Sequence, residues 1–377
     1  MKKLKIGILT LPLHSNYGGL LQAYALLFVL KEMGHDAWLI NYRNKKSKVR
    51  LVLSYLKRYI LKYFLKKDVK ISPFKEEEFI RSNTQRFINE HIQPQTKAFY
   101  TPKALSSKII SYNFDAFIVG SDQVWRPQYV TKIEDYFFGF VKDKQLKRMS
   151  YAASFGSNDW NYSEEQTEKC KRYIQLFNAV SVRENSGLEL CKEHFKVNAT
   201  HVLDPTMLLD VKDYLNLVNI NKSTYKPKGG ILIYILDETP DIKITIDSIS
   251  STLNLSTFKV NNNKTYDKKA SLKDRVAPPV EDWVIGFYDA DFVIADSFHA
   301  CLYSIIFNKP FVIYGNARRG MTRFTSILSK LDLEDRLIYS SEELRQEELN
   351  NNIDWNSVNK KLEKLKADSF AFLRDNL

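Results

Sequence analysis

Short, continuous apolar runs recur along the chain and constrain its fold more than any other feature. The runs include KIGILTL (5–11), AFIVGS (116–121), DFVIAD (291–296) and PFVIYG (310–315). They lack the alternation expected of strands with one solvated face, and they are typical of parallel strands covered on both faces. Helical patterns lie between them, so the sequence predicts an α/β protein with doubly wound parallel sheets.

The length of 377 residues exceeds the usual size of a single hydrophobic core. A polar stretch between about residues 215 and 229 carries Pro and Gly and separates the earlier apolar runs from the later ones. We therefore predict two doubly wound domains that face each other across a cleft. The first domain spans residues 1–215, and the second spans residues 229–377 and ends in a helical tail.

Composition narrows the class of protein. The apolar fraction of 44% is typical of a globular chain, and the three cysteines form no CxxC pair. This pattern argues against a disulfide framework or a cysteine-based zinc site and predicts a cytoplasmic protein. No apolar run reaches the roughly 18 residues of a membrane-spanning helix. The start, MKKLKIGILTL, is interpreted as a first strand because it is too short for a signal peptide.

The positive charge is concentrated in one segment. Residues 43–70 contain eleven Lys or Arg and one acid, so they carry +10 of the net +12. On a helix, residues 47–67 place apolar side chains on one face and basic ones on the other. The apolar set is Val52, Leu53, Leu56, Ile60, Tyr63 and Phe64, and the basic set is Arg50, Lys57, Arg58, Lys62 and Lys66.

A basic amphipathic helix of this kind is typical of a surface that lies on an anionic membrane. The alternative is a surface helix whose apolar face packs on its own domain. Nucleic acid could also meet such a patch. We predict no nucleic-acid partner, because no recognised nucleic-acid-binding motif accompanies the segment.

Candidate site residues follow from the rule that ligands bind beyond the carboxyl ends of parallel strands. In LPLHSNYGGLLQ (11–22), Asn16 and Gly18 lie between the first strand and a helix. Backbone amides at a helix N-terminus favour an anion, so both residues are candidates for anion binding. Gly18 and Gly19 could instead simply permit a tight turn.

Two later strand ends supply further candidates. In GSDQVWRP, Asp122 could orient or deprotonate a hydroxyl, and Trp125 could pack against a sugar. Alternatively, Asp122 caps a turn and Trp125 fills the core. In SVRENSG, Arg183 could hold a carboxylate or phosphate with its planar fork of donors, or it could pair with a neighbouring acid.

The stretch FVIADSFHA places polar residues after a buried strand. His299 lies at the start of the next helix, where a protonated imidazole could bind a phosphate or act as a general acid. Ser297 adds a hydroxyl, and ARRGMTRF downstream supplies Arg318, Arg319 and Arg323. This gathering of cations and donors predicts an anionic ligand. No spacing of His, Asp and Glu suggests a metal site.

Taken together, these motifs resemble the polysaccharide pyruvyl transferase family. The matching elements are NYGGLLQAYAL, GSDQVW, SVRENSG, VLDPTMLL, ADSFHACLYSIIFNKPFVIY and RGMTRF, and they occur in the family order from about residue 5 to 337. The resemblance implies a glycosyltransferase-B-like architecture, with two Rossmann-like domains and the site between them.

The resemblance also implies the reaction. A pyruvyl group would pass from phosphoenolpyruvate to two hydroxyls of a saccharide, forming a ketal without a cofactor. The acceptor would belong to a bacterial capsule or exopolysaccharide, or to its lipid-linked precursor. Many members have Arg-Leu-His where this chain has Ser297-Phe298-His299. Arg318, Arg319 or Arg323 could replace the missing cation by reaching into the cleft.

The motifs and the chemistry give each candidate a role. His299 and Asp122 are the predicted catalytic residues. The donor is predicted to contact Arg183, Ser297, His299, Arg319, Arg323, Asn16 and Gly18. The acceptor is predicted to contact Asp122 and Trp125.

Two other functions fit the same architecture. One is a glycosyltransferase with a nucleotide-sugar donor, for which Asp237 or Glu238 would bind the ribose. The other is a carbohydrate-binding relative that has lost the chemistry, which the Ser at position 297 favours.

Overall fold

The computed structural model describes residues 2–43, 48–218, 229–316, 320–345, 349 and 352–377, without the side chains of residues 48–50. Most of the predicted linker, and Arg318 and Arg319, lie outside these residues. None of the helices in the described ranges combines the length and apolar composition needed to cross a bilayer.

Two parallel sheets confirm the predicted α/β architecture. In the first sheet the strand order is β2-β1-β3-β4-β5-β6, and in the second it is β11-β10-β9-β7-β8. Neighbouring strands pair in parallel throughout, as in the register of Ile8 with Leu39 and Ile118. The strands are β1 (Lys5–Leu9), β2 (Asp36–Leu39), β3 (Ala116–Asp122), β4 (Lys147–Ala153), β5 (Ser181–Val182), β6 (Thr200–His201), β7 (Ile231–Tyr234), β8 (Thr257–Phe258), β9 (Phe292–Ala295), β10 (Phe311–Tyr314) and β11 (Leu337–Ile338).

Helices cover the faces of both sheets. The first helix is apolar on nearly all sides and is accordingly buried along most of its length, against β1 and the interface between the sheets. The helices are α1 (Tyr17–Glu32), α2 (Lys48–Tyr63), α3 (Pro73–Ile80), α4 (Ser82–His91), α5 (Pro102–Lys108), α6 (Glu164–Ile174), α7 (Asn185–Leu190), α8 (Val211–Leu217), α9 (Pro240–Leu253), α10 (Val280–Asp289), α11 (Phe298–Ile306), α12 (Thr322–Leu331) and α13 (Trp355–Asn376).

The predicted helical tail is helix α13, and it packs against the first half of the protein as well as against α12 of the second half. The backbone N–H of Leu203 donates to Ser369 Oγ at 3.0 Å, and Lys366 Nζ donates to Asp210 at 2.7 Å. The rings of Tyr151 and Phe372 lie 6.4 Å apart. The second sheet and its helices are therefore inserted between two parts of the chain that pack together.

Polar contacts join the two halves around the cleft. The Tyr17 hydroxyl at the start of α1 donates to the carbonyl of Pro278 at 3.0 Å. Arg86 of α4 binds both carboxylate oxygens of Glu281 at 2.8 Å each. On the other side, the N–H of Asn185 donates to Ser326 Oγ at 3.0 Å. These contacts fix the carboxyl ends of the two sheets toward each other.

Candidate active site

A cleft of about 600 Å³ lies between the carboxyl ends of the two sheets. Asn16, after β1, and Asp122, at the end of β3, line it from the first half. Ser297, His299 and Arg323 line it from the second half. Five of the predicted site residues therefore share one cleft.

The start of α1 places Asn16 and Gly18 differently. The Asn16 side chain lines the cleft and caps α1 by accepting from Gly19 N–H at 3.3 Å. Gly18 instead lies under the imidazole of His299, so that a Cβ at position 18 would overlap that ring. The glycine allows close approach of two halves of the protein, and its predicted backbone contact with a donor stays a prediction.

At the end of β3, Asp122 adopts a positive φ of 72°, which is rare for a residue other than glycine. Such a conformation persists only where surrounding contacts hold it, and it aims the carboxylate into the cleft. Trp125 is 0% exposed, stacks on Phe137 and donates its indole N–H to the Tyr136 carbonyl at 3.1 Å. The predicted sugar platform at Trp125 is therefore wrong, because the ring belongs to the core.

Arg183 is fully enclosed beneath the cleft. Its guanidinium donates to Asp204 at 2.6 Å and to Asp122 at 3.3 Å, and its planar face lies 4.6 Å from the centre of the Phe298 ring. It does not line the cleft, so the predicted direct contact with a donor gives way to a positioning contact with Asp122. Burial opposes its charge, but Asp204 and Asp122 raise the pKa of Arg183 above its usual value.

Asp204 is the hub of this network, and the sequence analysis did not single it out. One oxygen accepts from Thr206 N–H and Oγ, at 3.0 and 2.8 Å, and the other accepts from Arg183 and Ser121. Burial alone would raise the pKa of Asp204, yet Arg183 and His299 hold it below its usual value. The residue follows a strand in the quoted VLDPTMLL motif, so the strand-end rule could have found it.

A second layer of hydrogen bonds supports the end of β3. The N–H of Ser121 donates to Gln22 Oε1 at 3.1 Å, and its carbonyl accepts from Thr10 at 3.0 Å. Gln22 also donates to the Thr10 hydroxyl at 3.0 Å. These residues come from β1, α1 and β3, so the position of Asp122 depends on three separate elements.

His299 is buried at the start of α11, and its Nε2 lies 3.8 Å from an oxygen of Asp204. Within the described part of the chain, that nitrogen makes no hydrogen bond. Burial lowers the pKa of His299, although Asp204 and Asp122 act in the opposite direction. A lowered pKa favours the neutral imidazole, whereas the sequence suggested that a protonated ring could bind a phosphate.

The remaining residues of the second half divide between structure and site. Asp296 accepts from the N–H groups of Leu236 and Asp237 at 2.8 and 2.9 Å, so it fixes the chain after β7. Ser297 is the N-cap of α11 but makes no side-chain cap, which leaves its hydroxyl in the cleft wall. Arg323 lies buried in the same wall, and burial together with Arg183 lowers its pKa to about 10.

The cleft extends along a polar wall of which only Glu238 was named from the sequence. Asn261, Asn263 and Glu238 line it beyond β7 and β8, together with the exposed ring of Tyr266. The Tyr266 hydroxyl and Ser15 Oγ lie 2.6 Å apart across the cleft. Amides and an aromatic ring in one wall suit a neutral, hydroxyl-rich ligand more than an anion.

One cluster of potential metal ligands occurs among the described residues, formed by Glu90, His91 and Glu281. None of the three lines the cleft, and Arg86 already occupies both oxygens of Glu281. Among the described residues, the cleft itself offers the Arg323 guanidinium and helix-end amides to an anion, with an imidazole and a carboxylate beside them.

The fold is shared with solved structures of low sequence identity. One is a UDP-N-acetylglucosamine 2-epimerase from Rickettsia bellii, 12% identical with a TM-score of 0.50, covering 99% of this chain and 97% of that one. Another is a putative UDP-N-acetylglucosamine 2-epimerase from Listeria monocytogenes, 12% identical with a TM-score of 0.54, covering 99% and 95%. These similarities show a glycosyltransferase-B-like fold and nothing about the substrate.

A comparison with curated proteins finds no match. The family model described as polysaccharide pyruvyl transferase matches residues 16–318, which include strands β2 to β10 and most of the residues that line the cleft. The chain therefore belongs to the polysaccharide pyruvyl transferase family.

Proposed function

We propose that the protein transfers the pyruvyl group of phosphoenolpyruvate to two hydroxyls of a saccharide, forming a ketal. The observation that carries this proposal is the meeting of Arg323, His299 and Asp122 in one cleft. Phosphoenolpyruvate carries a carboxylate and a phosphate, and the saccharide carries only hydroxyls near the reacting carbon. The cleft provides the Arg323 guanidinium at one end and a polar wall of amides, Tyr266 and Glu238 at the other.

The donor is proposed to bind where α11 begins. The N-terminal amides of α11, the Ser297 hydroxyl and the Arg323 guanidinium converge there, and Asn16 faces them from the first half. Burial and Arg183 weaken the hold of Arg323 on its proton, so an anion that neutralises this repulsion is favoured. Arg319, outside the described residues, remains a predicted donor contact.

The reaction needs one proton at the methylene carbon and the removal of two hydroxyl protons. Two acceptor oxygens form bonds to the carbon that bears the phosphate, and the bond to the phosphate oxygen breaks. One hydroxyl proton is balanced by the new methyl group, and the other leaves with inorganic phosphate. His299 is the proposed proton donor, and Asp122 is the proposed base for an acceptor hydroxyl.

A neutral His299 is consistent with this role because the donor itself is an anion. Bringing a phosphate to the start of α11 favours the imidazolium, so binding would charge the residue that must then give up a proton. Arg183 and Asp204 act through other residues. They hold Asp122 and the imidazole in place from below, as positioning residues.

The acceptor is proposed to lie along the wall of Asn261, Asn263 and Tyr266, which takes over the role first given to Trp125. The saccharide is proposed to be part of a cell-surface polysaccharide or its lipid-linked precursor. Peripheral contact with an anionic membrane through the basic segment is a separate proposal, and its structural basis is given below.

The proposal is tested by calorimetric titration with phosphoenolpyruvate and by release of phosphate in the presence of oligosaccharide acceptors. We expect saturable binding by the wild type and its loss in His299→Ala. The matched control is His194→Ala, since His194 lies outside the cleft. Binding that is equal in all three proteins would contradict the assigned site.

The nucleotide-sugar alternative requires its own arm, because Glu238 lines the cleft and a ribose could reach it. Its carboxylate is already engaged by Lys259 at 2.9 Å and Asn263 at 2.8 Å. Protection from heat by a UDP-sugar, but not by phosphoenolpyruvate with acceptor present, would replace the proposed function. Saccharide binding without any phosphate release would favour the non-catalytic alternative.

A further inference from the structure

Helix α2 exposes a continuous apolar face. Six of its large side chains and the residue after its end are between 51% and 73% exposed. At 3.6 residues per turn they occupy an arc of about 140°. We call this face the α2 strip, and it consists of Val52, Leu53, Leu56, Tyr59, Ile60, Tyr63 and Phe64.

Basic side chains border the α2 strip. Lys57 lies on one flank and Lys62 on the other, and Lys66 and Lys67 follow the helix, all exposed. The sole acid between residues 43 and 70 is Asp68, whose carboxylate accepts from the N–H of Leu272 at 2.8 Å. The strip therefore combines apolar area with positive charge and no acidic side chain.

The opposite face of α2 is attached to the protein. The hydroxyls of Tyr55 and Ser72 lie 3.2 Å apart, and Arg58 binds Glu76 and the Lys70 carbonyl. These contacts fix the helix with its strip outward. They exclude the alternative in which the apolar face packs on its own domain. They also engage Arg58, which is therefore not among the basic side chains available to a partner.

The same contacts place α2 beside the cleft. Glu76 also accepts from Arg275 at 3.1 Å, and the N–H of Ala277 donates to the Ile80 carbonyl at 2.9 Å. Ala277 lines the cleft at its polar wall. The α2 strip is thus connected through α3 to the end of the cleft that is proposed to receive the saccharide.

Charge decides which partner fits the strip. In a two-fold dimer the strip would meet its own copy, so the lysine borders would face each other across the interface. Nucleic acid would pair with the lysines but would leave the apolar side chains without a partner. An anionic bilayer receives apolar side chains below its headgroups and lysines among them.

We propose that the α2 strip inserts into the interface of an anionic lipid bilayer and holds the polar end of the cleft at the membrane surface. The lipid contact stands on the geometry of α2 alone. Its purpose, access to a saccharide borne on a lipid, rests on the proposed function.

The experiment is co-sedimentation of the full chain with vesicles of phosphatidylcholine alone or of phosphatidylcholine with about 30% phosphatidylglycerol, an anionic lipid. We expect binding to the anionic vesicles that weakens as salt is raised. The double variant Leu56→Glu/Ile60→Glu should bind about a hundredfold less, since two buried apolar side chains are lost. The Lys57→Ala/Lys62→Ala variant should bind roughly thirtyfold less.

Matched control variants test whether the lipid contact is made by the α2 strip. Ile244→Glu changes an exposed Ile on α9, and Lys360→Ala/Lys364→Ala removes two exposed lysines from α13. Both should bind like the wild type. Absence of wild-type binding to anionic vesicles, or equal loss in the controls, would overturn the proposal. A concentration-dependent dimer that Leu56→Glu/Ile60→Glu dissolves would assign the strip to a second copy instead.

Failure of this proposal can be told apart from failure of the proposed function. Vesicle binding requires no phosphoenolpyruvate, and phosphate release with a water-soluble oligosaccharide requires no vesicle. Leu56→Glu/Ile60→Glu should therefore keep the wild-type rate on a soluble acceptor, because the strip does not line the cleft. A loss of that rate would mean that α2 supports the cleft rather than a membrane.

Discussion

Proteins usually bury apolar side chains and expose charged ones. The floor of the cleft and the outer face of α2 each depart from this distribution, in opposite senses. Below the cleft, Arg183, Asp204 and Asp122 are charged groups withdrawn from water. On α2, the strip is apolar surface left in water. The first region pairs its charges within the protein, whereas the second leaves its apolar side chains more than half exposed.

The difference separates two kinds of functional surface. A buried ion network requires that each charge be paired, and removal of one member leaves another charge uncompensated. An exposed apolar strip contributes nothing to folding and becomes favourable only when something covers it. Substitutions should therefore affect stability at the cleft and association at α2.

The largest effect should come from Asp204→Ala. This change removes the partner of Arg183 and leaves its guanidinium buried beside Asp122 alone, which should lower the free energy of unfolding by about 3–5 kcal/mol. Asp247→Ala, at an exposed position of α9, should stay within about 0.5 kcal/mol of the wild type. Thermal and denaturant unfolding measure both. Equal free energies of unfolding for the two variants would contradict the expected dependence of stability on the buried ion network.

Arg323→Ala should weaken phosphoenolpyruvate binding by about ten- to a hundredfold, the value of a hydrogen bond to a charged group. Arg126→Ala is the control, because Arg126 stacks on Tyr129 nearby without lining the cleft. Calorimetric titration measures both. A similar loss in the two variants would assign the effect to general positive potential rather than to a donor contact.

The pair Gly18→Ala and Gly19→Ala probes the packing under His299. An added methyl group at position 18 would lie 2.7 Å from the His299 Cβ and overlap the ring, whereas at position 19 the nearest side-chain atom is 3.5 Å away. We expect Gly18→Ala to lose about 1–3 kcal/mol of stability and to reduce kcat. Gly19→Ala should resemble the wild type. Unfolding and phosphate release distinguish the outcomes.

The pH dependence of His299 should be visible in stability. Its pKa in the folded protein is lower than in the unfolded chain, so the unfolded chain binds the proton more readily. The contribution of His299 to the free energy of unfolding is therefore fully present above about pH 6.5 and is lost as the pH falls below that value. His299→Asn should therefore lose less stability than the wild type between pH 7 and pH 5. Phosphoenolpyruvate should raise the pKa, measured by NMR of the imidazole. A pKa that does not rise would remove His299 as the proposed acid.

The smallest effect should come from the α2 strip. Leu56→Ser should change the free energy of unfolding by less than about 0.5 kcal/mol, because the side chain is already 58% exposed. Denaturant unfolding of the wild type and the variant measures this. A loss of 2 kcal/mol or more, typical of a buried leucine, would show that the strip is packed and would collapse the distinction between the two regions.

The architecture and the position of the cleft could be predicted from the sequence. Continuous apolar runs identified the parallel strands, and the strand-end rule led to Asp122, Ser297 and His299. These features are local, because a strand and the residues that follow it are adjacent in the chain. The same rule applied to the THVLDP run would also have identified Asp204.

The degree of burial of each side chain could not be predicted, because it depends on contacts between elements that are distant in the sequence. Trp125 is core because residues near Phe137 cover it, and Arg183 is enclosed because Asp204 and Phe298 lie against it. The role of Gly18 depends on His299, which follows it by more than 280 residues. In α2, periodicity identified the apolar face but could not show which side was attached to the protein.

The return of α13 to the first sheet has a mechanical consequence. The chain passes between the two halves twice, once between β6 and β7 and once between β11 and α13. Because two connections restrict the relative motion of the halves, we expect the second half to rotate about one axis when the cleft opens or closes. The contacts of the last helix with the first half would then limit how far the cleft can open, although its residues are distant from the cleft residues in sequence.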